Sequence, residues 1–358
     1  MINVTRSHLP SREKLEAYIN QLYDTAYLTN FGPLEQQLTS ALEQYLNINH
    51  LVLMANGTLA LMLLMRGLGL KGEIITTSYT FPATAAAIRW SGLEPKFADI
   101  NLADWTIDPN KVEDLITPQT SAILATHVYG NPCNIEALAT LGEQYKLPVL
   151  YDGAHGFGIQ YGEQSLLGMG MGTAVSFHAT KLFHTVEGGG VIVGDPDLAA
   201  RLKRLINFGI AGPEQVADVG INAKMSELHA AVGLANLQEI DDCIRLRKSH
   251  LQYYQQRLDH SGIKWQQWCM NASTNGAYAP VNLSSEHSLL NVKQQLEAKN
   301  IFPRRYFYPS LDVLPCHGAP NNTPNAQQVA ATTLCLPLYA ELTQNQLDLI
   351  CETVLSSI

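Results

Sequence analysis

Between residues 51 and 210 the chain alternates short apolar or β-branched runs with longer stretches of helical periodicity. The runs cover residues 51–55, 74–77, 96–98, 122–124, 149–151, 174–177 and 191–193; the stretches between them include 59–68, 81–90, 135–145 and 198–208. A strand followed each time by a helix predicts a mainly parallel sheet with helices on both faces, because parallel neighbours need a crossover connection. Two further helical stripes precede it, Leu15-Tyr18-Ile19-Leu22 after a candidate cap at Ser11, and Leu34-Leu38-Ala41-Leu42-Tyr45 after Pro33. The texture changes near Asp241. A basic helix around Arg245-Leu246-Arg247-Lys248 is followed by Trp265, Trp268 and mixed segments. The fold expected is α/β, with a large domain over 1–240 and a smaller α+β domain over 241–358. At 358 residues, 46% hydrophobic and 15% charged, the chain can bury cores of that size.

The net charge of −9, with no basic cluster, argues against a nucleic-acid partner. No apolar run reaches bilayer length, so no membrane partner is expected. The six cysteines are scattered without a C-x-x-C pair, which reads as reduced thiols in a cytoplasmic protein with no metal site.

Open α/β sheets bind ligands beyond the C-terminal ends of their strands. Here one strand ends in Tyr151-Asp152-Gly153-Ala154-His155, and another in Ser176-Phe177-His178-Ala179-Thr180-Lys181. On adjacent strands, Asp152 and Lys181 would share one crevice. That pair suits pyridoxal phosphate: the amine forms a Schiff base with the aldehyde, and the carboxylate keeps the pyridine nitrogen protonated. Taken singly, the Asp also reads as a cap and the Lys as a solvated charge. Asn56-Gly57-Thr58, between a strand and a helix, suits a phosphate on free N–H groups; a plain cap by Asn56 or Thr58 is the other reading. Gly188-Gly189-Gly190 lets backbone pass close to another chain or a ligand.

With these pieces stand Tyr79-Thr80-Phe81, His127-Val128-Tyr129-Gly130, Glu187-Gly188-Gly189, residues 220–227 (Gly-Ile-Asn-Ala-Lys-Met-Ser-Glu) and Arg305-Tyr306-Phe307-Tyr308-Pro309. In this order they resemble the DegT-like nucleotide-sugar aminotransferases among the fold type I pyridoxal-phosphate enzymes, over nearly the whole chain. The resemblance implies that Lys181 is the Schiff-base lysine and proton carrier, and that Asp152 pairs with the pyridine nitrogen. It implies that Phe81 lies against the ring, that Gly57, Thr58 and Ser176 hold the phosphate, and that His155 meets the ring hydroxyl. Asn222 would reach the phosphate of a neighbouring subunit, which makes a homodimer with shared sites. His178, Glu187, Arg305 and Tyr306 are candidates for substrate binding, with His184 as a further pocket histidine.

Two departures from the family pattern stand out. Tyr151 replaces the usual acid before Asp152, and Gly153 replaces a residue expected to pack against the ring. Lys181 favours transamination over dehydration, since relatives that deoxygenate sugars carry His there. The run around Lys181 most resembles enzymes that move nitrogen from L-glutamate to dTDP-4-keto-6-deoxyglucose. Their product, dTDP-4-amino-4,6-dideoxyglucose, feeds O-antigen or glycosylated-metabolite synthesis. Amination at C3, a GDP- or UDP-linked substrate, and a regulatory protein that binds the cofactor without turnover are the alternatives.

Overall fold

The computed structural model describes residues 1–259, 261–318 and 322–358. Seven strands make the central sheet: β1 (Leu51–Met54), β2 (Glu73–Thr77), β3 (Glu94–Ala98), β4 (Thr120–Thr126), β5 (Val149–Asp152), β6 (Gly172–Ser176) and β7 (Gly189–Val193). Their order is β1-β7-β6-β5-β4-β2-β3. The pairs among β2 to β6 are parallel, and β7 is antiparallel to both neighbours. The mainly parallel sheet is therefore as expected, with one reversed strand. Only the loop 177–188 joins β6 to β7, and a connection without a crossover helix returns the chain antiparallel. A Cβ on Gly189 would lie 2.6 Å from the Asn56 carbonyl carbon, the Gly57 nitrogen and the Val175 oxygen. Only glycine lets β7 lie this close to the strand ends on either side.

The helices that cover this sheet are α1 (Arg12–Thr25), α2 (Pro33–Leu46), α3 (Gly57–Gly67), α4 (Pro82–Trp90), α5 (Ile135–Tyr145), α6 (Pro196–Leu205) and α7 (Glu227–Leu237). Strand alternation divides their partners. Leu51 and Leu53 pack with Tyr18, Leu38 and Ala231 of α1, α2 and α7. Val52 and Met54 pack with Leu64 and Leu202 of α3 and α6. Burial on both faces is why these strands read as continuous apolar runs.

After α8 (Ile240–Arg257), an antiparallel sheet forms from β8 (Lys264–Trp265), β9 (Ala279–Asn282) and β10 (Thr333–Leu336). It carries α9 (Glu286–Ala298), α10 (Pro324–Thr332) and α11 (Gln344–Leu355). The strand Ile2–Asn3 pairs with Ile301–Phe302, which puts Ile2 in this second core. Helix α8 serves both cores, through Ile240 and Cys243 at one end and Tyr254 near the other. We propose the domain division at its start, near residue 240, with Ile2–Asn3 an N-terminal contribution to the smaller domain. Among the described residues no helix is long and apolar enough to cross a membrane. All six cysteines are free thiols.

Candidate active site

Strands β5 and β6 are parallel neighbours, with Asp152 in register with Ala174. Strand β5 ends at Asp152. Strand β6 ends at Ser176, and the chain then turns, the Lys181 N–H donating to the His178 carbonyl at 2.8 Å. The turn brings Lys181 to the same cavity as Asp152, a space of about 700 Å³ that the starts of α3 and α4 also line. That volume suits a small organic ligand.

At one end of the cavity α3 begins. Asn56 is its cap: Oδ1 accepts the Leu59 N–H at 2.9 Å. The N–H groups of Gly57 and Thr58, first in the helix, have no intrahelical acceptor. A Cβ on Gly57 would meet the Ser176 Cβ at 2.8 Å, so glycine there allows the Ser176 hydroxyl to stand beside the helix start. The cap reading is met by Asn56, and it leaves the Gly57 and Thr58 N–H groups free for an anion.

Asp152 is 7% exposed. Its Oδ2 accepts a hydrogen bond from Thr84 Oγ1 at 2.7 Å, and its Oδ1 one from the Ala154 N–H at 3.1 Å. Burial raises the carboxyl above its ordinary range, opposed by these two bonds and by the charge of Lys181. Burial also pushes the Lys181 amine down to about 8; Asp152 works against this shift and Arg304 adds to it. An amine held near that value is readily available in its neutral, nucleophilic form. Lys181 Nζ donates to the Tyr278 hydroxyl at 3.5 Å.

His155 lines the cavity and packs on Tyr278, with ring centroids 4.6 Å apart. Its Nδ1 accepts the Tyr129 N–H at 3.1 Å, and burial holds its pKa well below the usual histidine value. The ring is therefore neutral, with its proton on Nε2. Phe81, at the N-cap of α4, leaves an apolar ring 48% exposed in the cavity wall. At the rim, His178 Nε2 lies 3.6 Å from Glu187 Oε1, and both side chains are about half exposed. Tyr306 completes this set of sequence candidates that line the cavity.

Other candidates lie elsewhere. Arg305 is outside the cavity lining: it donates to Glu286 at 2.7 Å and to the Ala331 carbonyl at 3.0 Å, and it lies over the Tyr308 ring. The cavity arginine is Arg304, over the Tyr306 ring at 4.7 Å. Arg304 forms a bridge with Cys335, and side chains alternate along such extended backbone. His184 is buried elsewhere, its Nε2 bonded to the His8 carbonyl at 2.7 Å. Asn222 is exposed outside the cavity, its Oδ1 accepting from Lys224 Nζ at 2.9 Å. Gly153 does not leave the ring side open. A Cβ there would strike Thr173 Cγ2 at 2.6 Å and Leu167 Cδ2 at 2.7 Å, and Ala154 is the residue that lines the cavity. Tyr151 is buried against His127, ring centroids 4.5 Å apart.

Thr84, Tyr278 and Arg304 stand at the site without belonging to any of the motifs above. Thr84 stands in the first turn after Phe81-Pro82, a spacing that places it beside the phenylalanine at the helix start. Tyr278 and Arg304 carry no local signal.

A helix start for a phosphate, a buried carboxylate, an open aromatic face and a neutralisable lysine in one cavity suit a phosphorylated pyridine aldehyde. With the mainly parallel sheet, this site defines a fold type I pyridoxal-phosphate-dependent enzyme. Residues 11–355 match the DegT/DnrJ/EryC1/StrS aminotransferase family, and the chain belongs to it. It is 38% identical to a dTDP-4-amino-4,6-dideoxy-D-glucose transaminase of Shigella dysenteriae, covering 99% of this chain and 98% of that one. It is 28% identical to a GDP-perosamine synthase of Caulobacter vibrioides, covering 97% and 95%. The crystal structure of DesI in the presence of its TDP-sugar product superposes with a TM-score of 0.94 at 31% identity, covering 99% of this chain and 92% of that one. The protein is thus an aminotransferase that uses pyridoxal phosphate.

Proposed function

We propose that the protein transfers the amino group of L-glutamate to dTDP-4-keto-6-deoxyglucose, giving 2-oxoglutarate and dTDP-4-amino-4,6-dideoxyglucose. The full-length similarity to the Shigella dysenteriae transaminase carries this reading. The cavity supports it with a lysine, a buried carboxylate and a mixed polar rim at one site.

When bound, pyridoxal phosphate stores the amino group between the two half-reactions and takes up the electron pair left at the substrate carbon. The Gly57 and Thr58 N–H groups and the Ser176 hydroxyl would hold its phosphate. Asp152 would pair with the pyridine nitrogen, Phe81 would cover the ring, and the His155 Nε2–H would serve the ring hydroxyl. Lys181 Nζ would be the point of attachment for the cofactor and would move the proton at the reacting carbon. Tyr278 receives that amine by hydrogen bond. Arg304 binds the donor carboxylate through charge-assisted bonds, and Tyr306 supports it. His178 and Glu187, flanking Lys181 at the rim, turn the sugar so that C4 faces the amine.

The working unit in this reading is a homodimer in which Asn222 serves the partner's phosphate. Phe208, Ile210, Val216, Val219 and Ile221 are each more than 40% exposed beside it, an apolar patch of the kind that marks an interface. The free thiols support a cytoplasmic setting.

The test supplies the purified protein with pyridoxal phosphate, glutamate and a panel of dTDP-, UDP- and GDP-linked keto-sugars, and reads the amine position by NMR. Preferred turnover of the dTDP 4-keto sugar to the equatorial C4 amine is expected. Turnover confined to a 3-keto isomer, or a preference for the GDP-linked sugar that the perosamine synthase likeness brings in, would overturn the substrate assignment.

A further inference from the structure

Three buried threonines form a chain of hydroxyls that ends on Asp152. Thr80, Thr84 and Thr126 are 1%, 0% and 3% exposed. They come from three elements, the loop after β2, the first turn of α4 and the last residue of β4. Thr126 Oγ1 and Thr80 Oγ1 are 3.1 Å apart, Thr80 Oγ1 and Thr84 Oγ1 3.0 Å, and Thr84 Oγ1 and Asp152 Oδ2 2.7 Å.

Donor accounting gives the chain one direction. A hydroxyl has one proton to donate. Thr84 spends its proton on the carboxylate, so Thr80 donates to Thr84. Thr80 is then committed, so Thr126 donates to Thr80. Each donation polarises the next hydroxyl and strengthens the last bond, the one to the carboxylate. We propose that Thr84 is a positioning residue for the reaction, and that the Thr126→Thr80→Thr84 relay holds Asp152 ionised and turned toward the pyridine nitrogen. The inference rests on the reading that Asp152 meets that nitrogen.

Among the described residues, Thr84 is the one side chain that hydrogen-bonds the carboxylate. Its second oxygen takes the Ala154 N–H. The other titratable groups facing it are Lys181, whose charge favours the ionised form, and Cys133 and Tyr278, both kept neutral by burial. The hydroxyl relay and the Ala154 N–H are thus the hydrogen bonds by which the protein holds the carboxylate.

The experiment loads the enzyme with pyridoxal phosphate labelled with nitrogen-15 in the ring and follows that nitrogen by NMR against pH. The wild type is expected to show a pyridinium signal well into the alkaline range. In Thr84→Val, which keeps the shape and removes the proton donor, the change to a neutral pyridine signal is expected about one to two pH units lower. Thr84→Ser restores the wild-type profile, and Thr80→Val, which leaves Thr84 in place, shifts it in the same direction by less. A Thr84→Val profile identical to wild type, or a Thr84→Ser profile as altered as that of valine, overturns the proposal. Asp152→Asn separates the two levels of the argument. A neutral pyridine in that variant supports the pairing on which the relay depends. A pyridinium that persists there shows that the pairing with Asp152 itself is wrong.

Discussion

Arg304 and Arg305 are joined by one peptide bond and serve different parts of the molecule. Arg304 lines the cavity and lies over Tyr306, while Arg305 donates to Glu286 and to the Ala331 carbonyl. If Arg304 binds the donor carboxylate as proposed, Arg304→Gln removes a charge-assisted contact worth on the order of 2 kcal/mol. KM for glutamate is expected to rise roughly 30-fold, with the protein's melting temperature little changed. Arg305→Gln is expected to leave that KM near wild type. Steady-state kinetics of the two variants check the assignment, and the reverse pattern contradicts it.

Gly153 is tightly enclosed by Thr173 and Leu167. Gly153→Ala must move one of them or the strand end, at a cost of about 1–3 kcal/mol. A lower melting temperature is expected in the cofactor-free protein. An unchanged melting temperature together with tighter cofactor binding would mean that the added methyl reaches the ring instead.

Much of this site is local in sequence. Asp152, Ser176 and Lys181 stand at or just after strand ends, and Gly57 and Thr58 begin a helix, so periodicity places each of them. The contributions of Arg304, Tyr278 and Thr84 depend on how distant segments meet. Whether Arg304 or Arg305 enters the cavity is decided by the bridge to Cys335, a pairing between segments with no shared local pattern. Tyr278 reaches Lys181 across 97 residues, and Thr84 reaches Asp152 across 68. His184 shows the converse: adjacency to the lysine loop suggested a pocket residue, but its ring turns to the His8 carbonyl. The reversal of β7 was likewise hidden, because an apolar run carries no direction.

The depressed pKa of Lys181 has a consequence for the cofactor-free protein. Its folded value of about 8 lies below the ordinary 10.5, so between these values the unfolded chain binds more protons than the folded one. Stability from this group therefore rises with pH through that window, and the cost is fully present below about pH 8. Lys181→Met is expected to be more stable than wild type at pH 7 by roughly 2–3 kcal/mol, with the gap narrowing toward pH 10. Urea unfolding at the two pH values measures it. A gap that does not change with pH would count against a buried, neutralisable amine.

Asn222 is exposed outside its own chain's cavity. If it serves a partner's phosphate, Lys181→Ala and Asn222→Ala chains are inactive or impaired for separable reasons. Mixing them and re-forming dimers creates one site with both groups intact, and activity is expected to exceed that of either parent. Demonstrated subunit exchange without recovered activity would place Asn222 in its own chain's site or in none.

Pyridoxal phosphate is expected to be attached in the cavity that holds Asp152 and Lys181. Borohydride reduction of the loaded enzyme, followed by digestion and mass spectrometry, fixes the cofactor where it is bound. A single labelled peptide is expected, with the cofactor on Lys181, and it is absent from Lys181→Ala. A stoichiometric label on any other lysine, or equal labelling in Lys181→Ala, would contradict it.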